Sequence, residues 1–105
     1  MKLLVVTCLT DHKKVVTNIL HKARVSVFSV SETTGIKDDH DLNLLDDWFG
    51  NKDGEYDSLM FFSFTNAEAA GQTMQLITQY NLEQPSGFPI RAFILSVEQS
   101  SYHHA

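Results

Sequence analysis

The spacing of apolar residues changes along the chain from two-residue alternation to helical spacing and back, and these changes mark out its elements. Lys2–Leu9 is a nearly continuous apolar run, the pattern of a strand covered on both faces. Thr10-Asp11 supplies helix N-cap chemistry, and Val15, Val16, Ile19, Leu20 and Ala23 then recur at helical spacing. The first helix is expected from about Asp11 to Ala23. The β-rich run Val25–Val30 predicts a second strand, closed by Thr33-Thr34-Gly35. Ser58–Thr65 predicts a third, with Leu59, Phe61 and Ser63 on one face and Met60, Phe62 and Phe64 on the other. Thr65-Asn66-Ala67-Glu68 reads as a capping box with Thr65 at the N-cap. Ala69, Thr73, Met74, Leu76, Ile77 and Tyr80 mark one side of the helix that follows it. Pro85–Pro89 is a connector, Ile90–Val97 a fourth strand, and Glu98–Ala105 a polar tail.

The order is βαββαβ, which predicts an α+β, ferredoxin-like antiparallel sheet with two helices on one face. The length of 105 residues suits one domain, 1–105. Helices on one side should leave the other side of the sheet polar, yet these strands are apolar on both. Phe61, Phe62, Phe64, Phe93 and Ile94 cannot all lie beneath two helices, so the open face is expected to be covered by other subunits.

Charge is concentrated in one interval. Residues 31–57 hold nine acids against Lys37 and Lys52, a charge of −7, while the whole chain carries −5 and the remainder therefore +2. This interval reads as a long acidic loop. Within it, Leu42, Leu44, Leu45, Trp48 and Phe49 have the spacing of a short helix, and Asn51-Lys52-Asp53-Gly54 has turn chemistry. An EF-hand register there places Phe49 and Met60 where oxygen donors are required, so it fails. The net negative charge and the absence of a Lys/Arg cluster argue against a nucleic-acid binder. No apolar run reaches the roughly 20 residues of a membrane helix, and the opening run Met1–Val6 reads as a strand, not a signal peptide. A lone cysteine, Cys8, fits a reducing, cytoplasmic compartment and is expected to act as a small buried hydrophobe. His12 and His21 are expected to face solvent.

The layout, together with Gly54-Glu55-Tyr56 before the third strand and Pro89-Ile90 to Val97-Glu98 at the fourth, resembles the PII signalling superfamily, including its divergent PII-like members and the CutA divalent-cation-tolerance proteins. The resemblance implies a trimer whose sheets pack into a central prism, with ligands in clefts between subunits. It implies a ligand-binding role for Thr34, Gly35, Gly87 and Arg91. It also implies that the long loop contacts a partner such as a membrane transporter or an enzyme, with Glu55 and Tyr56 at the loop's end; Trp48 and Phe49, two large aromatics among aspartates, either pack back on the scaffold or act as its anchors. Two parts of the pattern differ. Where PII proteins carry a Gly-rich, Lys-bearing phosphate loop, Glu83–Arg91 has one Gly, two Pro and no Lys. The basic C-terminal motif is also replaced, by Ser100-Ser101-Tyr102-His103-His104. ATP or ADP therefore rank below a divalent metal ion or another small ligand as the expected cofactor.

The alternative is a CutA-like metal-binding protein that uses loop carboxylates and histidines. Its candidate ligands are Asp39, His40, His103 and His104, with a solvated loop and a frayed tail, or the remnant of a purification tag, as the plain structural reading. No Ser/His/Asp order, HExxH or phosphate loop is present, so a non-enzymatic role is expected.

Overall fold

The computed structural model describes residues 1–37 and 54–101. The elements are β1 (Lys2–Leu9), a 3-10 turn (Thr10–His12), α1 (Lys13–Lys22), β2 (Ser29–Lys37), β3 (Gly54–Thr65), α2 (Ala67–Glu83) and β4 (Arg91–Ser96). The strands form one antiparallel sheet in the order β2-β3-β1-β4. This is the expected ferredoxin-like α+β fold, with both helices against one face.

The register explains which residues that face uses. Val6 pairs with Phe61 on one side and Ala92 on the other, and Leu4 pairs with Ser63 and Ile94. Partners in a register point the same way, so these rows lie under the helices. Leu4, Val6, Cys8, Leu59, Phe61 and Ile90 are buried there against Val16, Ile19 and Leu20 of α1 and Ala69 and Ile77 of α2. Ser63 is also on this face, and its hydroxyl donates to the Val27 carbonyl at 2.6 Å, which satisfies a buried polar group. The alternate rows form the open face: Leu3, Val5, Phe62, Phe64, Phe93 and Leu95. Phe64 remains 59% exposed and Leu95 47%.

Several expected boundaries shift. The 3-10 turn takes Thr10–His12, so α1 begins at Lys13. It ends in a Schellman motif. Val25 N–H donates to the Leu20 carbonyl at 3.0 Å and Arg24 N–H to the His21 carbonyl at 3.1 Å, with Arg24 left-handed at φ 65°. That closure points Val25 into the core and delays β2 until Ser29, beyond the expected start at Val25. β2 then runs through Thr33-Thr34-Gly35, which was expected to end it. β3 likewise begins at Gly54, not Ser58. The two strands thus take residues 31–37 and 54–57 from the interval read as loop. The expected short helix around Leu42 to Phe49 lies outside the described residues. The cap of α2 is Asn66, whose side-chain oxygen accepts from Ala69 N–H at 2.7 Å; Thr65 is the last residue of β3.

His12 is half-buried, contrary to the solvent-facing expectation. Its ring meets Tyr80 of α2 edge-on at 6.2 Å. His21 is exposed as expected. Cys8 is buried, and that burial pushes its thiol up to about 11. It is therefore a poor nucleophile and a poor metal ligand.

Candidate functional site

β1 ends at Leu9, opposite Ser58, and the β2–β3 hairpin continues beyond it as a two-stranded ribbon. The ribbon borders a cavity of about 380 Å3 lined by Thr10, Glu32, Thr33, Thr34, Asp57 and Ser58. Thr34 and Asp57 are register partners, and Glu32 pairs with Leu59, so Glu32, Thr34 and Asp57 share the side that faces the helices. Thr10 ties the 3-10 turn to this wall by donating its hydroxyl to the Asp57 carbonyl at 3.3 Å. Among the described residues the lining has two carboxylates, four hydroxyls and no Lys, Arg or His. It offers acceptors and neutral donors, which suit a cation or a neutral polar group better than a phosphate.

On the opposite side of the sheet, the connector between α2 and β4 closes the same end. Tyr56 of β3 meets Phe88 of the connector, with ring centroids 4.8 Å apart and planes at 57°. These rings belong to segments on either side of β1, so their contact spans the place where β1 stops. Thr7 and Ser58 point to the open face here, yet both are buried. Asn81 fixes the end of the connector to α2. Its amide donates to the Ile90 carbonyl at 2.8 Å, and its oxygen accepts from Ile90 N–H at 3.1 Å.

The residues expected to bind ligand are only partly brought together. Thr34 lines the cavity. Gly35 is buried and paired with Tyr56, on the other face. Gly87 is exposed in the connector, next to Phe88. Arg91 opens β4 opposite Thr7, half-buried on the open face. All four sit at the loop end of the sheet, but within one chain Thr34 and Arg91 face opposite sides. Of the expected partner-binding residues, Tyr56 is half-buried against Phe88. Trp48, Phe49 and the Glu55 side chain lie outside the described residues. So do the candidate metal ligands Asp39, His40, His103 and His104. Among the described residues no group of three metal-ligating side chains occurs.

Sequence reasoning missed Glu32, Asp57, Ser58 and Thr10 as lining residues. Glu32 and Asp57 were counted only as loop charge. The signal was their alternation: Asp57 is in phase with the buried Leu59 and Phe61, so it had to face the helices once β3 was extended backward. Phe88 had no such signal, because its partner is distant in sequence.

No family model matches the sequence, and no curated protein matches it. Solved structures do. A DUF3240 family protein from Shewanella baltica OS155 has a TM-score of 0.60 at 20% identity, covering 98% of this chain and 96% of that one. CPII, a nitrogen regulatory PII-like protein from Thiomonas intermedia K12 solved with ADP, AMP and bicarbonate, also gives 0.60 at 20% identity, with 94% and 93% covered. This chain has the PII-like fold. A PII-like signalling protein from Thermus thermophilus gives 0.59 at 9% identity, over 89% of this chain and 81% of that one. The PII-like fold is thus shared across nearly the whole length while few side chains are kept. No helix among the described residues is long and apolar enough to cross a membrane.

Proposed function

We propose that this chain is a PII-like regulatory subunit that works by binding and not by catalysis. Three copies cover one another's open faces. A small ligand enters at the loop end of the sheet, between subunits, where Thr34 and Gly35 of β2, Gly87 of the connector and Arg91 of β4 come together. The acidic segment then docks on a partner such as a membrane transporter or an enzyme, through Trp48, Phe49, Glu55 and Tyr56. The ligand acts by favouring one conformation of that segment over another, which shifts its population.

The observation that carries this reading is the meeting of hairpin ribbon and connector at one end of the sheet. Thr34 and Arg91 face opposite sides within one chain, and under this reading they join in a site completed between chains. The likeness to CPII, solved with ADP, AMP and either bicarbonate or acetate, supports testing nucleotides and small anions, although the connector here lacks a lysine. A divalent cation is the second ligand class. The carboxylates of Glu32 and Asp57 in the cavity favour it, and Asp39, His40, His103 and His104 are its further candidates.

Titration calorimetry on the full chain tests the reading, with ADP, AMP, ATP, bicarbonate, Zn(II) and Cu(II) as separate titrants. Saturable heat with a nucleotide or anion, weakened about tenfold by Arg91→Ala, is the expected result, the size of a lost charge-assisted hydrogen bond. Heat with metal alone, abolished in a His40→Ala, His103→Ala, His104→Ala variant, would favour the metal reading. Silence with every titrant contradicts both.

A further inference from the structure

We infer that Tyr56 and Phe88 form a latch that joins the connector to the hairpin ribbon, so that the two segments open and close together. The ribbon needs such an attachment. β1 pairs with β3 only as far as Ser58, so residues 54–57 and 34–37 are paired with each other and, among the described residues, with no third strand. An isolated two-stranded hairpin is marginal in water. Among the described residues, two contacts tie this one to the body. One is the Thr10 hydroxyl on the Asp57 carbonyl, long at 3.3 Å. The other is the Tyr56–Phe88 ring pair at 4.8 Å.

The connector is built to hold Phe88 in place. Asn81 brackets the backbone of Ile90 with two hydrogen bonds, and Ile90 is buried in the core. On the other side, Phe88 N–H donates to the Ser86 hydroxyl at 3.0 Å, which closes a tight turn just before the ring. Phe88 is therefore anchored to α2 within two residues on one side and shaped by a turn on the other. Tyr56 is opposite Gly35, which offers no side chain of its own for packing on the edge strand. A displacement of the connector consequently reaches the ribbon through this ring pair. No ligand takes part in the latch, so its test is independent of the ligand reading.

Hydrogen exchange on the full chain tests the latch residue by residue. In Phe88→Ala, the amides of residues 54–57 and 34–37 should exchange about threefold to tenfold faster, the range an aromatic pair carries. The centre of β1 and its pairing with β4 should not change. Tyr56→Ala should have the reciprocal effect, with faster exchange at Gly87 and Phe88, and the double variant should add little to either single one. Tyr56→Phe keeps both rings and should leave exchange as it is, which guards against an unfolded Ala variant. Unchanged ribbon exchange in Phe88→Ala overturns the proposal. So does a uniform rise across all four strands, which would mean that the ring pair supports overall stability and couples nothing.

Discussion

The two faces of the sheet are made by alternate residues of the same strands, and they have opposite fates. On the helix face, Leu4, Val6 and Phe61 are each 1% exposed. One residue along, Leu3, Val5 and Phe62 are only half-buried, and Phe64 and Leu95 are largely exposed. The side chains are equally apolar, so hydrophobicity alone does not distinguish the faces. The difference is that, among the described residues, α1 and α2 cover one face and most of the other has no cover. Among the described residues, the connector and Phe88 close the loop end of the open face from within. An exposed apolar face of this kind marks an interaction surface, and the proposed trimer would cover it.

Mutations at neighbouring positions should separate these cases. Phe61→Ala empties a filled site under the helices and should cost about 3–5 kcal/mol in urea unfolding, at any protein concentration. Loss of less than about 1 kcal/mol would mean that this face is not the core. The pair Phe62→Ser and Phe64→Ser should instead leave the secondary structure intact and shift the sedimenting species to single chains. Removing these rings from the open face would then raise, not lower, the solubility of the isolated subunit. Aggregation or unfolding of this variant would break the comparison, because the open face would be carrying the fold itself.

The helix-face cover depends on α2 and its start. Asn66→Ala leaves the Ala69 N–H without its side-chain acceptor and should cost about 1 kcal/mol, measured by thermal unfolding. Asn66→Asp should recover most of that loss, since a carboxylate also accepts and suits the helix N-terminus. The smallest effect concerns pH. Burial raises the Cys8 thiol from 9.0 to about 11, so the folded chain holds this proton more tightly than the unfolded chain does. The resulting contribution is fully present below 9.0 and is lost as pH rises toward about 11. Other groups titrate in that window, so the measurement is the difference between the native protein and Cys8→Ala. The native protein should lose more stability than the variant across it; parallel curves would place Cys8 in a wetter site than its burial implies.

Most of the fold was legible because the period of the pattern changes cleanly at each element. β1, α1, α2 and the faces of β3 follow from spacing alone. β2 was misplaced for a physical reason. The run from Val25 to Phe28 has strand composition, but the Schellman closure after α1 sends Val25 into the core and leaves that run as an extended approach. The real strand, Ser29–Lys37, is an edge strand rich in hydroxyls, so it carries little apolar signal. Gly35 reads as a turn residue in sequence and is instead buried opposite Tyr56. The candidate site was less legible. Thr34 was found, but Glu32 and Asp57 become wall residues only once the hairpin is known to extend past β1. The Tyr56–Phe88 pair depends on three segments meeting at the end of β1, which no local pattern encodes.

The most direct test of the uncovered face is sedimentation velocity of the native chain across a wide concentration range. Covering by copies of itself predicts a discrete species of three chains that persists on dilution and is lost in the Phe62→Ser, Phe64→Ser variant. A single, soluble, non-associating chain at the highest concentration reached would contradict it.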